Sequence, residues 1–161
     1  MQRQVIDAVE RYASGAFPMD DPDFQDEPLP WYTAPRRAVF PLDEGFRAQL
    51  RRRLRRDLRR CEAHTLRLDA GYADVLELCA EPPAGEGMWI TPRLAALYRN
   101  LHAAGFAHSF ELRDERGELS AGILGIVIGR AAMLESMRRT QPSAGNALLS
   151  RTLDLLAERG A

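Results

Sequence analysis

The chain has 161 residues, 45% of them apolar and 7% aromatic, the composition of an ordinary globular protein with length enough to bury a core. No apolar run approaches the roughly 20 residues that span a bilayer, and the opening MQRQVIDAVERY lacks a signal-peptide core, so a cytoplasmic protein is expected. The net charge of −1 conceals a bias, since all 22 basic residues are arginine. The two cysteines are too few for a disulfide scaffold and, with His64, lack zinc-site spacing, so no metal or cofactor is expected.

In residues 3–14, Val5, Ile6, Val9 and Tyr12 fall near helical spacing, and Gly15 can close the helix. Residues 19–30, MDDPDFQDEPLP, are acidic and proline-rich and read as a surface loop. WYTAPRRAVFPL has the aromatic and β-branched content of a short strand, interrupted by Pro35 and Pro41. From Phe46 the chain turns helical, with Phe46, Leu50, Leu54 and Leu58 in one apolar stripe. Eight arginines, at 47, 51, 52, 53, 55, 56, 59 and 60, cover the other faces, with Asp57 the only acid among them. Residues 64–68 suggest a strand, and residues 73–80 an apolar helix ended by the EPPAGEG loop. Thr91 is placed to cap a helix that begins at Pro92 and ends at Gly105, with Leu94, Leu97, Tyr98 and Leu101 inward. HSFELRD and ELSAGILGIVIG read as strands about an ERG turn, AAMLESM as a third, and residues 144–159 as a last helix with Leu148, Leu149, Leu153 and Leu156 inward. The pattern is α+β, with two or three antiparallel strands flanked by helices.

Three features carry candidate chemistry. Arginines four apart repel, so a helix dense in them gains from a polyanion whose phosphates neutralise it. Arg51, Arg52, Arg55, Arg56 and Arg59 are therefore candidate nucleic-acid contacts, set against the alternatives of a compositional bias toward arginine and a basic membrane-surface helix. Glu135 is a carboxylate in a largely apolar strand, either a core-edge residue or a group that meets a ligand's polar atoms. The turn at SAGN before the last helix invites a pyrophosphate reading, as in GNAT acetyltransferases, against which stands an ordinary amphipathic helix; Gly145 stands alone where that family has two glycines.

Taken together, GMWIT, AALYRNLHAAGFAHSFEL, LSAGILGIVIG and ESM, with YASGAFPM and WYTAPRRAVF upstream, resemble the motifs of the leucyl/phenylalanyl-tRNA–protein transferases in the same order. The resemblance covers most of residues 12–137. It implies a small N-terminal domain with the arginine-rich helix over residues 1–62 and a GNAT-like aminoacyl-binding domain over 63–161, without acetyl-CoA. It also implies transfer of Leu or Phe from aminoacyl-tRNA to the N-terminus of a protein beginning with Arg or Lys, marking it for degradation. Glu135 matches the family's active-site glutamate. Trp89 matches the tryptophan that stacks on the terminal adenosine, while Ile123 and Met137 match the lining for the aminoacyl group. The arginine helix falls where the family carries a basic cluster. The sequence departs from the family pattern at Met19, in place of a tryptophan, at Leu134, in place of a glycine, and at Gly145 and Asn146, in place of Ser and Lys. The family continues beyond the position of Ala161 into a strand bearing an Asp and a Gln associated with transfer. A non-catalytic tRNA-binding relative and a GNAT-type acetyltransferase are the alternative readings.

Overall fold

The structure, a computed structural model, describes residues 2–160 apart from 83, 84 and 86. In chain order the elements are α1 (Gln2–Ala13), β1 (Ala16–Pro18), β2 (Trp31–Thr33), α2 (Glu44–Arg53), α3 (Arg55–Arg60) and β3 (Thr65–Leu68), then α4 (Tyr72–Ala80), α5 (Pro92–Ala103), β4 (Ala107–Arg113), β5 (Leu119–Ile128), β6 (Ala131–Arg139) and α6 (Ala144–Glu158). A 3-10 turn, Pro22–Phe24, punctuates the acidic loop. The fold is α+β, as the pattern predicted, but richer in strands. Four of them form an antiparallel sheet in the order β3-β4-β5-β6, and β1 and β2 pair as a separate ribbon.

Local chemistry explains most boundaries. Thr91 accepts from the Leu94 amide at the head of α5, and Gly105 takes φ +80° past its end, where a side chain would be strained. Gly117, at φ +83°, closes the β4–β5 turn, where Asp114 accepts from the amides of Arg116 and Glu118. The loop expected at EPPAGEG falls partly on residues 83, 84 and 86, outside those described.

The four-stranded sheet is covered on both faces. On one, Leu124 and Ile126 of β5 pack beneath Val75 and Leu76 of α4, Leu94, Leu97, Tyr98 and Leu101 of α5, and Val5, Ala8 and Tyr12 of α1. On the other, Phe110, Leu112, Ala121 and Ile123 meet Ala144, Ala147, Leu148 and Leu156 of α6. The alternation along β4 and β5 sorts these residues to their faces. Fully burying each such Leu or Ile contributes about 1.5–3 kcal/mol. Leu149, expected inward, is half-buried, and Ile6 of α1 is exposed.

The arginine helix is two helices. α2 ends at Leu54, whose backbone (φ −94°, ψ 12°) breaks the run before α3 begins. Leucines every four residues drift about 40° per step on a helix of 3.6 residues per turn. One straight stripe could not keep Phe46 and Leu58 on the same neighbour; the break lets both helices rest on α6. Arg47 and Arg51 each donate to Asp154 of α6 at 2.6 Å, and Asn146 of α6 donates to Asp57 at 2.8 Å.

Candidate active site

β6 is an edge strand, and it carries a bulge. Leu124 pairs with Ser136 and Gly125 with Leu134, so Glu135 has no residue opposite it on β5. A bulge of this kind releases one residue from the ladder and re-aims its side chain. Glu135 lines a cavity of about 630 Å³ between residues 37–42, β6 and α6, whose walls include Val39, Phe40, Leu134 and Leu153. It also lines a neighbouring hollow of about 290 Å³ with Phe17, Ala34 and Arg37.

On the protein side, the phenols of Tyr12 on α1 and Tyr98 on α5 neighbour Glu135, with no hydrogen bond from either hydroxyl among the described residues. Both phenols are buried, at 3% and 1% exposure. Tyr12 also packs edge-on against Trp31, with ring centroids 5.3 Å apart. Burial pushes the Glu135 carboxyl up from 4.5 to about 7, against the opposing pull of the Arg37 guanidinium and the two tyrosine hydroxyls. Arg37 is itself fixed, donating to the Gly15 carbonyl at 3.1 Å and lying 4.7 Å over the Phe17 ring. A carboxyl that titrates near 7 can both take and return a proton at neutral pH, and this one does so at the wall of a largely apolar cavity.

The other residues singled out in the sequence occupy different surroundings. Met137 faces Ile123 across the β5–β6 ladder, on the α6 side of the sheet. Met137 is 45% exposed and stands near Gly145, while Ile123 is buried beneath it. The bulge breaks the plain alternation that would put Met137 and Glu135 on one face. Trp89 is half-buried against the α1–α4–α5 core, one residue ahead of Ile90 and the Thr91 cap. Of these four, only Glu135 lines the two cavities described.

Among the candidate nucleic-acid contacts, Arg51 is engaged with Asp154 and Glu44, whereas Arg52, Arg55, Arg56 and Arg59 are exposed. No acid among the described residues lies within ion-pair distance of those four. Asp57, the single acid of the run, is turned to the head of α6, where hydrogen bonds with Ser143 and Asn146 hold its carboxyl low. The SAGN turn, considered above as a pyrophosphate seat, thus already has an acid of its own chain at that helix end.

Three residues of the Glu135 surroundings escape a reading from sequence: Arg37, Tyr12 and Tyr98. The tyrosines sit in apolar stripes and pass as core residues. The available signal was a phenol where phenylalanine would fill the same space without burying a hydroxyl.

The structure thus sets a bulged carboxyl beside a largely apolar cavity and, elsewhere on the surface, a strip of exposed arginines. Comparisons with known proteins give the family. The sequence profile described as leucyl/phenylalanyl-tRNA protein transferase matches residues 39–161. The protein of that name from Thermosynechococcus vestitus is 40% identical over 152 residues, covering 93% of this chain and 71% of the relative. Its counterpart in Prosthecochloris aestuarii is 39% identical, covering 87% of this chain and 69% of the relative, and that of Chromobacterium violaceum is 42% identical, covering 78% and 51%. The chain belongs to the leucyl/phenylalanyl-tRNA protein transferase family.

Proposed function

We propose that this chain moves a leucyl or phenylalanyl group from the end of its tRNA to the α-amino group of a protein, and that Glu135 handles the proton of that reaction. The observation that carries the reading is the placement of Glu135: out of the ladder, at a cavity wall, with a carboxyl titrating near 7. In the reaction the amine nitrogen bonds to the ester carbonyl carbon and the bond from that carbon to the ribose oxygen breaks. The proton leaving the amine passes to Glu135 and from it to the departing oxygen. An α-amine with a pKa of about 7.7–8.0 loses its first proton cheaply. Holding the two reactants together supplies much of the remaining acceleration.

Around this step the proposal assigns Trp89 to stacking on the terminal adenosine, Ile123 and Met137 to the leucyl or phenylalanyl side chain, and Arg52, Arg55, Arg56 and Arg59 to tRNA phosphates. Arg51, tied to Asp154, braces α2 against α6 and adds its charge from there. A GNAT-like architecture for residues 63–161, behind a smaller unit over 1–62, and acceptors beginning with Arg or Lys complete the reading. The site faces the cytoplasm in this proposal; no helix among the described residues is long and apolar enough to cross a membrane.

The test is transfer of labelled Leu or Phe from tRNA to a peptide beginning with Arg, by the parent and by Glu135→Gln. The parent transfers label, and the variant falls by about 10²–10⁴, the usual worth of a positioned proton-transfer group. tRNA binding without transfer by the parent would leave the non-catalytic relative as the correct reading.

A further inference from the structure

We propose that the arginine surface of α3 continues across the head of α6 onto β6 through Arg60 and Arg139, and that this track holds phosphates of the unpaired 3′ end of a tRNA on its way to Met137. The proposal rests on the tRNA reading of the arginine helices, and adds to it two contacts and the stretch of RNA they take.

The track can be followed from contact to contact. Arg56 and Arg60 are four apart on α3 and share a face. At the end of that helix the Arg60 guanidinium donates to the Ser143 hydroxyl, 3.3 Å away, at the residue before α6. Two residues on, Gly145 has no side chain, and two neighbours from β6 lie over it. A Cβ there would stand 3.5 Å from Cδ of Arg139 and 3.6 Å from Cε of Met137, ordinary contact distances. Met137 and Arg139 pair with Ile123 and Ala121 of β5, which both belong to the core beneath α6, so their side chains share the α6 face. The order over the surface is therefore Arg56, Arg60, Ser143, Arg139 and Met137.

This track is open and positive. Arg60, Arg139 and Met137 are exposed, and no acid among the described residues lies within ion-pair distance of either arginine. Asp57 is the acid of the neighbourhood, and Asn146 donates to it at 2.8 Å. Its one charge stands against those of Arg56, Arg59, Arg60 and Arg139. An arginine on an edge strand can serve merely to deter a second strand, and its stem can cover apolar surface while the charge stays in water. Neither role accounts for the alignment of Arg139 with Arg60 on one side and an exposed methionine on the other. A basic groove that ends on an apolar side chain fits a ligand with phosphates along its length and an apolar group at its tip. An aminoacylated single strand has that build, and a blunt duplex does not.

The experiment titrates the full chain across a salt series with two uncharged RNA hairpins: a tRNA acceptor stem with its unpaired 3′ end, and the same stem ending blunt. Each single-strand phosphate contact adds about 0.7 to the slope of log affinity against log salt, so the parent should show a slope steeper by about 1.4 on the first hairpin. Arg60→Met and Arg139→Met keep an apolar stem and remove the charge. Each should lower the slope by about 0.7 on the first hairpin alone, and the pair should make the two hairpins equal, while Arg139→Lys keeps the parent's slope. Equal slopes for the two hairpins in the parent overturn the proposal. So do unchanged slopes in the variants, or a loss that is the same on both hairpins. Transfer of labelled Leu or Phe by the parent is measured alongside. Transfer with equal slopes removes the track and leaves the transferase reading standing. A steeper slope that the variants lose, without transfer, keeps the track and removes the transferase reading.

Discussion

Two carboxylates of this protein leave water and end at opposite extremes. Asp20, in the acidic loop, has its side chain fully buried and receives the Arg93 guanidinium at 2.5 and 2.8 Å, the Thr91 hydroxyl, the Asp21 amide at 2.9 Å and the Gln25 amide. Burial alone would raise its carboxyl, but these donors more than offset it, Arg93 foremost, and bring it to about 2. Glu135 is half-buried, with burial the first cause of its shift and fewer donors to oppose it, among them the single guanidinium of Arg37 across a cavity, and stands at about 7. The difference is one of completion as well as of burial. A carboxylate given every partner it can use is a fixed anion that ties a loop to a helix head. One left short of partners remains able to exchange a proton, and such sites are where chemistry is found.

Breaking the completed site should have the largest effect. Arg93→Met removes both contacts to Asp20 and those to the Gln25 and Glu27 carbonyls, leaving a buried anion without its cation. Stability at pH 7 should fall by about 3–5 kcal/mol in urea denaturation. A loss below about 1 kcal/mol would mean that Asp20 relaxes into water, and the contrast with Glu135 would dissolve.

Glu135→Gln should act in the other direction. Its folded-state pKa is raised above 4.5, so the native chain holds the proton more tightly than the unfolded one and loses stability as pH rises from 4.5 to 7. The full cost, about 3 kcal/mol, is present above pH 7. The glutamine variant escapes it, and should exceed the parent in stability by up to that amount at pH 8 while matching it near pH 4. Paired denaturation curves at the two pH values check this, and equal differences at both would refute it.

Asp20→Asn should be the mirror image at a somewhat smaller scale. With the folded pKa lowered from 3.8 to about 2, Asp20 contributes stability that is present above pH 3.8 and lost as pH falls toward 2. The variant should be about 2 kcal/mol weaker than the parent at pH 6 and indistinguishable from it near pH 2. Opposite slopes for the two variants are the sharpest form of the comparison.

Neither environment could be read from the chain alone, though most elements around them could. The capped start of α5, the hairpin of β4 and β5 and the apolar stripes of α5 and α6 follow from spacing and turn residues, which are local properties. Asp20 finds Arg93 across 73 residues of sequence, and nothing in MDDPDF tells which of its acids will be covered. The resemblance singled out Glu135, but its bulge arises from register against β5, and a strict alternation would have placed Met137 beside it. β1 is three residues long and holds a proline, too short to show a period. The continuous stripe over residues 46–58 looked like one helix because a four-residue spacing hides its drift until the break at Leu54 exposes it.

The exposed arginines supply the last contrast, since they are neither buried nor paired. Changing Arg52, Arg55 and Arg56 to glutamine disturbs no ion pair among the described residues and relieves repulsion between Arg52 and Arg56 four positions apart. Folding stability should move by no more than about 0.5 kcal/mol, the smallest effect of the series. Binding should not be so indifferent. Each phosphate contact contributes about 0.7–0.9 to the slope of log affinity against log salt, so the triple change should flatten that slope by about 2. Different tRNAs should weaken alike, because phosphates carry no sequence. The same substitution at Arg47 and Arg51 should reverse the pattern, costing stability through Asp154 with a smaller change in slope. tRNA titrations across a salt series decide the matter. A triple variant with the parent's slope would make this arginine surface a compositional feature and move the tRNA path elsewhere.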